Sequence, residues 1–237
     1  MHLSAPIYKL KRNAKLLARE KSIPLHQALD RVAVIEGFRG WSHLVSRASQ
    51  PDPAATILAG LHPGDMVLLA ARPGHGKTLL GLELAARAGL LGKAGFFFTL
   101  DYHERDVANR FRDLEFPQTA ASNPVEIDTS DNICADYILR RLARTDGNAI
   151  AVIDYMQLLD QKRTNPDLQD QIDALRAFAS TKGGIIVLIA QVDRSFDLTG
   201  KAMPDLSDVR LPNPLDLSAF DKACFLHHGE IRFEAAA

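Results

Sequence analysis

The 237 residues suffice for one sizeable α/β domain with a small appendage, and 46% hydrophobic with 24% charged residues is the balance of a globular chain. No apolar run approaches the roughly 20 residues of a membrane-spanning helix, and residues 1–6 lack a signal-peptide core, so a membrane-free, cytoplasmic protein is expected. The net charge of -1 conceals an asymmetry: residues 1–50 hold nine Lys/Arg against three acidic residues, a balance of +6, and the rest balances at -7. A basic head on an acidic body suits contact with nucleic acid or an acidic partner, or a solvated helical face.

Along residues 1–50, Leu10, Ala14, Leu17 and Ala18 recur at helical spacing with Lys and Arg between them. Pro24 opens a second periodic run through Leu25, Ala28, Leu29, Val32, Ala33 and Ile35. Gly37–Trp41 interrupts it, and Ser42 can cap a third short helix. Around Lys9–Arg19 several cations share one helical face, while Phe38 and Trp41 suit the core of a three-helix unit. Prolines 51 and 53 mark a linker, which divides the chain into a basic helical domain, 1–50, and a second domain, 51–237.

From residue 54 apolar runs alternate with amphipathic segments. Runs 66–71, 95–100, 149–153 and 185–190 suit central strands covered on both faces, and 78–91, 104–114, 135–143 and 168–181 suit crossover helices. The pattern predicts a mostly parallel sheet flanked by helices, with tail strands over 223–227 and 231–234 near its edge. Cys134 and Cys224 have no ligand-spaced partner and read as free thiols.

The stretch Ala71-Arg72-Pro73-Gly74-His75-Gly76-Lys77-Thr78-Leu79 follows an apolar strand and opens a helix. A short glycine-rich loop there can turn backbone N–H groups around an anion, with the helix dipole behind it. Lys77 would reach the β- and γ-phosphates of ATP, and the Thr78 hydroxyl would meet Mg²⁺. Asp154 ends the run 149–153, where α/β sheets place ligands, and would hold the same Mg²⁺. Asp101 and Glu104 follow the run 95–100, and either could polarise an attacking water. Gln191 ends the run 185–190 and suits sensing of a γ-phosphate.

The segments 70–78, 152–159 (Val-Ile-Asp-Tyr-Met-Gln-Leu-Leu) and 189–195 (Ile-Ala-Gln-Val-Asp-Arg-Ser) resemble the Walker A, Walker B and sensor segments of DnaB-type replicative helicases, which are RecA-like ATPases. The resemblance covers roughly 55–230 and implies a RecA-like core, ATP hydrolysis between subunits of a homo-oligomer (a hexamer being one form), and single-stranded DNA held by loops. It makes Arg194 and Arg210 candidates for DNA-facing or neighbour-facing loops. Asp101 stands where that family has a glutamate, and no Lys-x-Arg element follows His228, so trans-activation would fall to Arg232 or another residue. Two functions therefore stay open: an ATPase acting on DNA as helicase, translocase or helicase-associated factor, or a slow ATP-dependent switch that regulates a partner.

Overall fold

The computed structural model describes residues 5, 7–36, 38–49, 52–100, 102, 107, 125–156, 159, 162, 165–211 and 213–236. The chain divides into two compact units, Met1–Thr56 and Ile57–Ala237.

In the first unit, α1 (Ile7–Glu20), α2 (Leu25–Ile35) and α3 (Trp41–Ser49) enclose a core of Leu10, Ala14, Ala28, Val32, Ala33, Phe38 and Leu44. These residues share the apolar stripe that helical periodicity assigns to them. Pro24 precedes α2, where its missing N–H costs nothing, and its carbonyl accepts from Ala28 N–H at 3.2 Å. The expected Ser42 cap is corrected: α3 begins one residue earlier, and Asp30 Oδ1 accepts the Trp41 N–H at 2.9 Å. A carboxylate from the neighbouring helix outcompetes the local hydroxyl because its charge strengthens the bond and fixes α3 to α2. A further helix, α4 (Pro53–Ala59), follows.

The second unit is built on seven strands: β1 (Met66–Ala71), β2 (Ala94–Thr99), β3 (Glu126–Asp128), β4 (Ala149–Asp154), β5 (Ile185–Gln191), β6 (Lys222–His227) and β7 (Glu230–Ala235). Their order is β3-β2-β4-β5-β1-β6-β7, parallel throughout except for the antiparallel β6–β7 pair. The four expected central strands are present. β7 forms one edge with β6 one strand inside it, and the short β3 forms the other. Residues 104–114, expected as a helix, lie outside the described residues apart from Val107.

Helix α5 (Lys77–Arg87) covers one face, and α6 (Ala135–Leu142) and α7 (Leu168–Lys182) pack in the core of the other. Every residue of β1 and β4 is buried, as parallel strands covered on both faces must be. Alternation decides the facing: Met66, Leu68 and Ala70 join Ile138, Leu142, Ile172 and Leu175 in one layer, while Val152 and Ile189 face α5. Two glycines let α5 lie close. A Cβ on Gly81 would come within 2.7 Å of Ile189 Cδ1, and one on Gly95 within 2.0 Å of the Ala85 carbonyl oxygen. At the start of the sheet Asp221 joins three elements, accepting from Met66 N–H at 2.8 Å and from the two terminal guanidinium nitrogens of Arg176.

Candidate functional site

Parallel strands end on one side, and here that side collects the polar strand ends. Gln191 is in register with Ala71, and Val192 N–H donates to the Ala71 carbonyl at 3.1 Å. Asp154 is in register with Thr99 on the next strand pair, and both side chains are buried, Asp154 being 1% exposed. The edge therefore reads Thr99, Asp154, Gln191 and Ala71 across β2, β4, β5 and β1, with β5 between the two candidate motifs.

Beyond Ala71 the chain turns through Arg72–Gly76 and enters α5 at Lys77. Gly74 and Gly76 have φ of 82° and 91°, in the region that glycine occupies without penalty. A Cβ at either would meet nothing within 4 Å, so the turn borders open space rather than packed side chains. Gly76 is the N-cap of α5, and its carbonyl accepts from Leu80 N–H at 2.9 Å. The first N–H groups of the helix therefore have no carbonyl before them and can meet an anion. Lys77 and Thr78 are half-buried in that first turn, and Leu79 is 38% exposed.

Arg72 does more than shape the loop. Its guanidinium donates twice to Asp197, Nε to Oδ1 at 3.2 Å and Nη2 to Oδ2 at 2.8 Å, and Nη1 donates to the Val192 carbonyl at 3.2 Å. The loop 72–76 is thus braced against the segment that follows Gln191. That segment is itself ordered: Asp193 accepts from Ser195 N–H at 2.8 Å, and this bond holds its carboxyl below the ordinary value. Arg210 N–H donates to the Gln191 carbonyl at 2.7 Å, which brings two residues nineteen positions apart together. The turn preceding Arg210 is fixed by Lys201, which donates to Asp205 at 2.9 Å and Asp208 at 3.0 Å. The Ser207 hydroxyl and Lys201 draw the Asp205 carboxyl down to about 2. Arg194 is exposed on the short helical turn Arg194–Leu198.

A histidine cluster borders the loop. The His75 ring stacks on His227 at 5.1 Å with an interplanar angle of 15°, and Phe196 meets His227 edge-on at 5.1 Å. His228 N–H donates to His75 Nδ1 at 3.1 Å. An accepting Nδ1 leaves the neutral ring's proton on Nε2. Burial, then repulsion from His227, His228 and Arg72, lowers the His75 pKa below its ordinary value. These rings, with Arg72, Asp197 and Lys201, line a cavity of about 470 Å³.

The structure places Asp154 and Gln191 at strand ends on one side of the sheet, Lys77 and Thr78 in the first turn of α5, Arg72 in the loop before it, and Arg210 against the Gln191 carbonyl. The candidate water-polarising residues Asp101 and Glu104 lie outside the described residues. Asp197, Lys201, Thr99, His227 and His228 were missed. Of these, only the pair His227-His228 before Gly229 carried a signal, as a turn between two strands.

The comparisons decide the family. The profile described as DnaB-like helicase C terminal domain matches residues 54–119 and 114–235, most of the chain. This chain belongs to that family. The replicative DNA helicase DnaB of Leifsonia xyli is 27% identical over 199 residues, covering 71% of this chain and 43% of that protein. The DnaB of Mycoplasma genitalium is 24% identical over 206 residues, covering 72% and 44%. The chain thus spans less than half the length of these relatives. Among solved structures, the ATPase domain of G40P superposes with a TM-score of 0.57 at 19% identity, covering 79% of this chain and 81% of that one. A DnaB-like replicative helicase, described with its interactions with primase, gives 0.59 at 18%, covering 96% and 73%. At such identities the superpositions establish the fold, a RecA-like DnaB-type core, as the sequence led one to expect.

Proposed function

We propose that this DnaB-family chain binds ATP at the loop 72–79, hydrolyses it, and acts on single-stranded DNA as a homo-oligomer. The observation that carries the reading is the shared strand edge: the Lys77–Thr78 helix start, buried Asp154 and Gln191 converge there beside a loop bordering open space. In this reading the loop amides and Lys77 neutralise the β- and γ-phosphate oxygens. Thr78 and Asp154 offer the oxygen donors that a hard cation prefers, so they fit Mg²⁺, which when bound would spread the charge that develops on the phosphoryl oxygens. Asp101 or Glu104 orients the attacking water, Gln191 responds to the γ-phosphate, and Arg194 and Arg210 face DNA or the neighbouring subunit.

Arg72 gives this scheme a transmission. It holds the loop to the Val192 carbonyl and Asp197, and Arg210 N–H holds Gln191 from the other side. A change in the loop when the γ-phosphate leaves is thereby coupled to the segment carrying Arg194 and Arg210. Steady-state hydrolysis with and without single-stranded DNA tests the proposal. DNA should stimulate the wild type, and Lys77→Ala should lose turnover by at least about 100-fold. Turnover indifferent to DNA would replace the reading with an ATP-dependent switch, and turnover independent of Lys77 would overturn it.

A further inference from the structure

The family match begins at residue 54 and leaves the basic helical unit without a role. Helix α1 of that unit has two unlike faces. Leu10 and Ala14 are buried, and Ile7, Leu17 and Ala18 pack against the same core. Tyr8, Lys11, Arg12, Lys15 and Arg19 stand at i, i+3, i+4, i+7 and i+11, which places them in one stripe along a flank of the helix beside the buried face. All five are exposed, and Tyr8 is 69% exposed. The cationic part of the stripe spans about 12 Å at the helical rise. No salt bridge among the described residues neutralises these four cations; Glu20, the helix's one acidic residue, lies on the other shoulder beside Lys21 at 3.5 Å.

The exposed Tyr8 ring offers a face on which a flat partner can stack, and four adjacent like charges call for anions. Single-stranded nucleic acid suits both, because its phosphates track a cationic groove or ridge and its unpaired bases stack on an aromatic face. Duplex DNA would use the charges and leave the ring idle. We infer that the α1 stripe Tyr8-Lys11-Arg12-Lys15-Arg19 is a binding site for single-stranded nucleic acid, separate from the ATP site and independent of nucleotide.

Fluorescence anisotropy with a labelled oligothymidylate and the full chain, without ATP, tests this. Counter-ion release predicts that replacing all four cations by alanine lowers the steepness of log K against log salt by about 3, at roughly 0.7 per phosphate contact. Between 50 and 200 mM salt the wild type should therefore lose about 50-fold more affinity than the variant. Exchanging each Lys for Arg and each Arg for Lys should keep the wild-type slope. Tyr8→Ala should weaken oligothymidylate binding by about five-fold or more while leaving the slope and duplex binding unchanged. An unchanged slope in the four-alanine protein overturns the inference, as does loss of self-association at low salt with DNA binding intact, which would make the occupant a second copy's acidic body. Tighter binding to duplex than to single strand, or no effect of Tyr8→Ala, overturns the commitment to single strands. Should circular dichroism show that the four-alanine protein is unfolded, the Lys11→Gln/Lys15→Gln protein decides, with an expected slope change of about 1.4.

Discussion

Replacing Gly81 by alanine separates two opposing effects that the structure allows to be weighed. In an isolated helix the change would stabilise by roughly 1 kcal/mol, since alanine loses less backbone freedom. Here the new Cβ would sit 2.7 Å from Ile189 Cδ1 and 3.0 Å from Val152 Cγ1, both on fully buried side chains. Overfilling a packed core costs about 1–3 kcal/mol, so steric cost should win with a net loss near 1 kcal/mol. Ile189→Val removes the closer methyl and alone costs about 1 kcal/mol. Together the two changes should come out close to wild type, a favourable coupling of about 1–2 kcal/mol. Urea denaturation of the four proteins measures the cycle. Because Lys77 and Thr78 lie one turn before Gly81, nucleotide affinity should fall in Gly81→Ala and recover in the double variant. Effects that add within about 0.5 kcal/mol, or a Gly81→Ala protein more stable than wild type, would refute the claim that α5 packs too closely on Ile189 and Val152 to admit a Cβ.

Three more expectations use the same coordinates. The lowered His75 pKa means that the unfolded chain takes up a proton near pH 6.5 that the folded chain refuses, so stability should fall as pH drops below that value. A thermal melt series should show a shallower decline in His75→Gln, and an identical decline would contradict the assignment. Burial alone would raise the Asp221 carboxyl, but the Arg176 hydrogen bond and the Met66 N–H hold it below its ordinary value. Asp221→Ala should therefore cost about 1–3 kcal/mol by denaturant titration, and this contribution in the wild type should be present above the carboxylate range and vanish as pH falls through the lowered pKa. Burial pushes the Cys224 thiol up to about 12, so under native conditions a thiol reagent should modify Cys134 and reach Cys224 only at the unfolding rate.

β4 and β5 were legible because each is a short apolar run ended by one polar residue, and a parallel sheet gathers such ends on one side. Asp154 and Gln191 follow from that rule without knowledge of strand order, and Lys77 and Thr78 follow from the glycine-rich loop that opens α5. What stayed hidden was placement across distance. His75 and His228 are 153 positions apart, and Arg72 meets Asp197 across 125, so no periodicity could pair them. β3 escaped for a different reason. Glu126 and Asp128 give it no apolar signature, and the strand is held by its pairing with β2 and by Arg141 and Tyr137, which bind its carboxylates.

The strand order also has a consequence for how the chain is made. β1 lies between β5 and β6, so the first strand of the sheet to leave the ribosome waits for both neighbours until residues 185–191 and 222–227 have been synthesised. The imidazole of the loop waits as long for its bond from His228. A nascent chain can assemble β2 and β4 on one another, but β1 stays unpaired until β5 has emerged and keeps an exposed edge until β6 follows. The loop 72–76 is thus an early sequence and a late structure. Chains stalled before residue 222 should need chaperone cover and should be unable to retain nucleotide.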